Sequence, residues 1–256
     1  MGNSDYLSSK LCSYAEKGKS AALPSISQGQ LGIFNARCVN NSGSVANVGI
    51  GRLQSPESLQ YLSVSGVTSS TGTYAVVPFP TASVPQDAFD GTANQGFVVS
   101  SGRPLNLIGV TVSTLNSGGT FKIDQWNGTA WIEAGDILEQ VADYNTTGDK
   151  YHVFSLNNDV VKGGDASLAG VASEPENKYF TRIYTTGVLG GAVVIDDLWA
   201  MAFIELRRGI IDKGQLFAQY DWRQFFLLEA GESLAPYFSE PSSANQFASF
   251  FTTAGL

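Results

Sequence analysis

Apolar and polar residues alternate in short runs along this chain, and strong turn signals separate the runs. Residues 121–124 alternate in this way, which is the pattern of a strand with one buried face. Asn127 and Gly128 then precede Trp131, a combination typical of a β-hairpin. Other runs predict further strands at 105–112, 151–156, 179–185 and 192–206. The pattern predicts an all-β protein with a jelly-roll-like β-sandwich over residues 97–206.

The N-terminal region carries weaker signals. In residues 4–17, Leu7, Leu11 and Tyr14 fall on one face of a helix, so we predict a short helix there. A helix of this length is marginal in water and needs a surface on which to dock.

Residues 30–39 and 44–50 are strand-like runs around an Asn-Asn-Ser-Gly turn, and they predict a hairpin. Residues 63–74 are rich in Ser, Thr and Gly, and prolines follow, which is typical of a linker. Residues 1–96 are therefore predicted to form an arm that lies over another surface.

The C-terminal segment, residues 207–256, holds an unusual number of aromatic residues. Residues 216–223 alternate as a strand does, and three phenylalanines beyond Pro241 fit one face of a brief helix. Exposed aromatic surface favours aggregation, so we expect either the sandwich of this chain or a partner to cover it. The candidate assembly contacts are the apolar residues of both flanks, namely Leu7, Leu11, Tyr14, Tyr220, Trp222, Phe225, Phe226, Phe247, Phe250 and Phe251.

Composition narrows the possible partners. The formal net charge is −8, so the chain would repel a nucleic-acid backbone. The longest apolar stretch, residues 187–195, is too short to span a bilayer, and we expect no membrane contact and no secretory signal. Cys12 and Cys38 could form a disulfide, but two small buried apolar residues are the favoured interpretation.

The chain contains few residues that could carry out catalysis. His152 is its one histidine, and its strand-like neighbours favour a half-exposed strand residue over a general base. One histidine and two distant cysteines are too few for a His/Cys metal site, and no phosphate-binding loop is present. Asp196 and Asp197 could bind calcium, but a strand edge or bend is favoured. We expect no enzymatic activity, no metal and no cofactor.

Two tryptophans flank the predicted Asn-Gly turn. If Trp126 and Trp131 were exposed at the hairpin tip, they could stack on a sugar ring. The favoured alternative is that they pack against each other as a cross-strand aromatic pair.

Three segments of the sandwich region carry a resemblance to a known class of protein. They read FKIDQWNGTAW from Phe121, YFTRIY from Tyr179 and VVIDDL from Val193. This set resembles the jelly-roll modules of virion proteins of tailed bacteriophages, and carbohydrate-binding modules look similar. The resemblance implies a non-enzymatic structural protein of the virion, and specifically a capsid decoration (cement) protein. The alternative it leaves open is a tail, fibre or receptor-binding protein with a carbohydrate-binding jelly roll.

The flanks favour the first of these roles. Cement proteins generally couple a compact β module to arms that bridge capsid subunits, and both flanks have the character of arms. The resemblance therefore implies the major capsid protein and other copies of this chain as partners, in a homo-oligomer for which a trimer is one candidate. It also implies a protein made in the host cytoplasm and located in the virion. A host glycan is a partner only under the alternative.

Overall fold

The structure, a computed structural model, describes a defined part of the chain. The described residues are 8–13, 30–39, 46–54, 56–135, 137–139, 144–211, 218–228, 232–238 and 246–254. Side chains are described for 54, 56–135, 144–150 and 152–202.

Strands account for nearly all the regular structure of these residues. In chain order they are β1 Ser8–Ser13, β2 Gln30–Val39, β3 Ala46–Gln54, β4 Gln60–Ser65, β5 Thr73–Val76, β6 Gln86–Phe89, β7 Gln95–Ser101, β8 Leu107–Thr114, β9 Phe121–Trp126, β10 Trp131–Glu133, β11 Ile137–Glu139, β12 Gly148–Phe154, β13 Tyr179–Thr185, β14 Val193–Ile211, β15 Ala218–Leu228, β16 Glu232–Phe238 and β17 Gln246–Ala254. Two short 3-10 turns, Ala166–Leu168 and Pro175–Asn177, lie between β12 and β13.

The strands belong to two compact units, and the larger is Pro56–Ala202. In this unit, sheet I has the order β10-β9-β13-β7-β4-β5. Sheet II has the order β11-β12-β8-β14, and β6 pairs with the other edge of β14. From β6 to β9, successive strands belong alternately to sheet II and sheet I. These strands therefore pair mainly with strands that are distant in sequence. The predicted all-β sandwich is confirmed.

Sheet I separates two clusters of buried side chains because successive residues of a strand point to opposite faces. In β13, Ile183 joins the inner core, while Phe180 and Tyr184 join the outer core. The inner core lies between the sheets and is built from residues of both, such as Phe97, Val99, Ile123, Ile108, Val110, Phe154 and Ile195. The outer core contains Leu62, Val64, Val67, Tyr74, Val98, Trp126, Trp131, Leu168, Ala172, Phe180 and Tyr184.

The second unit combines Met1–Ser55 with Phe203–Leu256. Its four-stranded sheet, here called the terminal sheet, has the order β1-β17-β2-β15. In addition, β3 pairs with β16 in antiparallel register. The terminal sheet therefore joins strands from the two ends of the chain.

Both predicted terminal helices are wrong. Ser8–Ser13 forms strand β1 in place of a helix over 4–17, and it pairs with β17. Gln246–Ala254 forms strand β17, so the three phenylalanines predicted on a helix lie on a strand. In both cases pairing with a segment at the opposite end of the chain overrides a local helical pattern.

The predicted hairpin of 30–39 with 44–50 is also wrong, although both runs are strands. Strand β2 lies between β17 and β15, so both of its edges are occupied. Strand β3 pairs with β16 instead.

The sandwich begins earlier than the predicted residue 97. Residues 60–89, read from sequence as part of an arm, supply β4, β5 and β6. Tyr61 packs in the inner core, whereas Leu62 and Val64 pack in the outer core. The Ser/Thr-rich stretch is therefore a strand, a turn and a second strand.

The predicted hairpin at Asn127 is confirmed. Trp126 and Trp131 are opposite each other in the β9–β10 ladder, and the backbone N–H of Asn127 donates to the carbonyl of Ala130. The side-chain oxygen of Asn127 accepts from the backbone N–H groups of Thr129 and Ala130. Gly128 has a φ of 96°, a conformation that favours glycine.

We expect a fragment of residues 56–202 to fold by itself, because it holds both sheets and both cores of the sandwich. A fragment of residues 97–206 lacks β4, β5 and β6 and should not show a cooperative transition. Thermal denaturation followed by near-UV circular dichroism measures the difference. A shorter fragment that unfolds as sharply as the longer one would contradict this account of the boundary.

Candidate functional site

A buried ion pair lies in the outer core of sheet I. Arg182, on β13, has no solvent exposure, and the Asp124 side chain on β9 is 8% exposed. Nε and Nη2 of Arg182 donate to Oδ2 of Asp124 at 3.0 and 2.7 Å. Nη2 also donates to the carbonyl of Thr68 at 2.6 Å, and Nη1 donates to that of Thr71 at 3.3 Å. The guanidinium therefore has a counter-charge and two carbonyl acceptors within the protein.

Strand alternation explains why the two charges meet. Arg182 lies two residues from Phe180 and from Tyr184 along β13, so the three side chains are on the same face of the strand. Phe180 and Tyr184 belong to the outer core. Asp124 is on the same face of β9 as Trp126, which also belongs to the outer core. The ladder between β13 and β9 places Arg182 directly opposite Asp124.

Aromatic rings surround the guanidinium. Its Cζ lies 4.4 Å from the ring centroid of Trp131 and 5.2 Å from that of Tyr184, within the range of cation–π attraction. Burial, together with the nearby Asp124 carboxylate, raises the pKa of Tyr184 to about 12. Tyr184 is therefore neutral at physiological pH.

A segment between β12 and β13, residues 155–178, covers this cluster and is here called the covering segment. Its Asp165 accepts through Oδ2 from the Tyr74 hydroxyl at 2.5 Å and from Nε1 of Trp131 at 2.7 Å. Oδ1 accepts from the backbone N–H of Ser167 at 2.9 Å and so caps a 3-10 turn. Burial, with the Asp165 carboxylate beside it, raises the pKa of Tyr74 above its ordinary value. One carboxylate thus joins the covering segment to two strands of sheet I.

The loop of residues 66–72 forms the rest of the cover. The Thr68 hydroxyl oxygen accepts from the backbone N–H of Thr71 at 3.0 Å, a local bond that stabilises the turn. The backbone N–H of Trp131 donates to the carbonyl of Ser69 at 3.1 Å. This bond occupies part of the free edge of β10.

The two tryptophans proposed for sugar stacking lie inside the outer core. Trp126 and Trp131 are 6% and 5% exposed, and their ring centroids are 5.6 Å apart in an edge-to-face arrangement. The cross-strand aromatic pair favoured from the sequence is therefore present. Trp131 also contacts Tyr74 and Arg182, so its ring is engaged within the protein.

His152, on β12, is fully buried, which corrects the expectation of a half-exposed residue. Its Nε2 lies 2.5 Å from the hydroxyl of Tyr144, and among the described residues its Nδ1 has no hydrogen-bond partner. Phe89 and Phe121 pack against Tyr144 with ring centroids 5.1 and 4.8 Å apart. This apolar setting lowers the pKa of His152 to about 4. The residue is therefore a neutral part of the inner core at physiological pH.

The paired aspartates of β14 mark an irregularity of the strand. The ladder with β8 shifts register between Ile195 and Asp197, as at a β-bulge. Asp197 is exposed and Asp196 is half-buried. Within the described part of the chain, no group of three or more His, Cys, Asp or Glu residues is arranged to hold a metal ion.

Most of the predicted assembly contacts come together in one place. Strands β1, β15 and β17 of the terminal sheet carry Leu11, Tyr220, Trp222, Phe225, Phe226, Phe247, Phe250 and Phe251. Leu7 and Tyr14 lie outside the described residues. Two distant segments thus contribute to a single sheet, which the sequence pattern did not reveal.

The register of the terminal sheet also separates the two cysteines. Cys12 on β1 and Cys38 on β2 are both opposite Phe247 of the intervening strand β17. Two strand spacings place their Cα atoms roughly 10 Å apart, beyond the range of about 7 Å that a disulfide can span. This arrangement disfavours a Cys12–Cys38 disulfide, and the predicted burial of the two side chains lies outside the described side chains.

The ion pair does not follow from the sequence pattern, because charged residues at outward strand positions are usually solvated. One signal was available. Arg182 lies between Phe180 and Tyr184 on one strand face, and Asp124 lies two residues before Trp126. A charge flanked by aromatic residues at a spacing of two indicates a face that is covered.

Comparison with family models, curated proteins and solved structures finds no match to this chain. In the part of the chain that the structure describes, none of the helices has the length and hydropathy of a membrane span.

We expect Arg182→Met to lower the free energy of unfolding by about 3–5 kcal/mol, because it leaves the Asp124 carboxylate buried without a counter-charge. Urea denaturation of the full chain measures the loss. Arg103→Met is the matched control, since Arg103 pairs with Glu57 where the side chains are 29% and 58% exposed. That change should cost about 0–1 kcal/mol. Equal losses in the two variants would show that burial of the Arg182 pair has no energetic consequence.

Acid should destabilise the protein partly through His152. Its pKa is about 4 in the folded state, against about 6.5 in an unfolded chain. The unfolded chain therefore binds the proton more readily, and stability present above pH 6.5 is lost as the pH falls toward 4. The expected loss is on the order of 3 kcal/mol.

Urea denaturation between pH 7.5 and pH 4 tests this contribution. His152→Gln should show a shallower decline over that range than the native chain, since carboxylates titrate equally in both proteins. Parallel stability curves for the two proteins would show that His152 does not contribute to the loss of stability in acid.

Proposed function

We propose that this chain is a non-enzymatic structural protein that attaches to a larger assembly through its terminal sheet. The observation that carries the proposal is the convergence of the N-terminal strands β1 and β2 and the aromatic-rich C-terminal strands β15 and β17 on one sheet, of order β1-β17-β2-β15. Predicted contact residues from opposite ends of the chain are thereby placed on adjacent strands.

The sandwich of residues 56–202 suits the role of a stable body in such a protein. The polar groups of its outer core find hydrogen-bond partners within the sandwich. Arg182 donates to Asp124, and Asp165 accepts from Trp131 and Tyr74. Polar networks of this kind stabilise a fold when every member has a partner. The groups most suited to ligand chemistry are therefore used for structure.

A catalytic role for His152 has little support. The ring has no solvent exposure, its Nε2 is engaged by Tyr144, and a pKa of about 4 is poorly matched to proton transfer near neutral pH.

The specific assembly we propose is the head of a tailed bacteriophage, with this chain as a capsid decoration protein in the virion. This step rests on the resemblance of residues 121–131, 179–184 and 193–198 to virion jelly-roll modules. The partners would be the major capsid protein and other copies of this chain.

Binding of the purified chain to assembled phage heads tests the proposal. Phe250→Ser, in β17, should weaken binding roughly tenfold or more if the terminal sheet supplies a central contact. Val188→Ser is the matched control, because Val188 is 72% exposed on the sandwich. It should leave binding unchanged. Circular dichroism and melting curves establish that both variants remain folded.

Two outcomes would contradict the proposal. Equal binding by the native chain and Phe250→Ser would exclude this part of the terminal sheet as the anchor. Binding to a glycan array without binding to heads, abolished by Trp131→Phe, would favour a receptor-binding protein.

A further inference from the structure

Strand β17 is the last of the described strands, yet it occupies an interior position in the terminal sheet. Its residues pair with β1 from Ser8 to Ser13 and with β2 from Gln30 to Val39. A strand between two neighbours has backbone hydrogen bonds along both edges. The position of β17 is therefore defined by two ladders, and both are made with the N-terminal region.

The strand nearest to β17 in sequence is not its neighbour in a sheet. Strand β16 pairs with β3, and residues 239–245 connect β16 to β17. The ladders that hold β17 thus depend on strands at the opposite end of the chain. The same ladders would form if β1 and β2 belonged to another copy.

The composition of β17 makes an unpaired state unfavourable. The sequence QFASFFTTA contains no charged residue and no proline, which are the usual means of protecting a free strand edge. Uncharged segments with high β-propensity associate readily with other strands. Nothing in the composition of β17 therefore opposes pairing with β1 and β2 of a second copy.

We propose that β17 is exchanged between copies of this chain, so that the strand of one copy pairs with β1 and β2 of another. Exchange of an identical element is a low-cost route to a homo-oligomer, because every bond of the closed copy is remade. The inference rests on the proposed function for the role of the terminal sheet in assembly. It goes further by naming β17 as the element through which copies of this chain associate.

Cross-linking between two differently marked chains tests the exchange. Both full-length chains carry Cys12→Ser and Cys38→Ser, and one carries Ser249→Cys while the other carries Ala36→Cys. Ser249 and Ala36 are directly opposite in the ladder, so their Cα atoms lie about 5 Å apart, within disulfide range. After co-expression and mild oxidation, exchange predicts a species of twice the 27.2 kDa chain mass that disappears on reduction.

A second cysteine position controls for random contact. Gly32 is opposite Thr252, so Gly32→Cys is displaced from Ser249 by about 10 Å along the strands. This pair should give no cross-chain product. A single chain with both Ser249→Cys and Ala36→Cys reports closure within one copy, and melting curves of each variant establish that it is folded.

Cross-chain product from Ala36→Cys but not from Gly32→Cys supports the exchange. An internal disulfide in the single chain with no cross-chain product overturns it, as does equal product from both positions. If neither disulfide forms in folded protein, the register is wrong and the proposal fails with it.

The cross-linking needs no phage heads, so the two proposals fail separately. If cross-chain product forms but the chain does not bind heads, the proposed attachment is contradicted and the exchange is supported. If the chain binds heads but gives no cross-chain product, the proposed attachment is supported and the exchange is contradicted.

Discussion

Water cannot reach the charge of Arg182, and that constraint governs one whole side of sheet I. A buried guanidinium is tolerated only when an opposite charge and hydrogen-bond acceptors replace its hydration. Asp124 supplies the charge, and the carbonyls of Thr68 and Thr71 supply acceptors. These carbonyls reach the guanidinium because the loop of residues 66–72 folds back over the sheet. Asp165 joins the covering segment to the same cluster. The ion pair, its cover and the aromatic rings therefore depend on one another.

This arrangement distinguishes the two units. A sheet with one free face can present its aromatic residues to a ligand, whereas sheet I uses Trp126, Trp131 and Tyr184 within a second core. The sandwich is consequently suited to act as a rigid body. The terminal sheet is built differently, since its four strands come from both ends of the chain. A sheet of that kind needs strands that are far apart in sequence, and under the proposed function it supplies the surface used in assembly.

Strands with strict alternation and clear turn chemistry were predictable from sequence, as the hairpin around Asn127 illustrates. Segments whose conformation depends on distant partners were not. The helical spacing of Leu7 and Leu11 is a local pattern, and the pairing of β1 with β17 overrides it. Residues 63–74 look like a linker because serine and threonine are common in loops, although Val64, Val67 and Tyr74 are buried there. The ion pair of the candidate site was missed for a similar reason, since its burial is caused by a cover that lies elsewhere in the sequence.

The most direct test of the central claim is a double-mutant cycle on Arg182 and Asp124. Arg182→Met, Asp124→Leu and the double variant are compared with the native chain by urea denaturation. If the two charges are buried mainly to compensate each other, the double variant recovers much of the stability that each single change loses. The coupling energy should then be on the order of 2–3 kcal/mol. If the two losses simply add, the charges act independently, and the account of the outer core as one unit is contradicted.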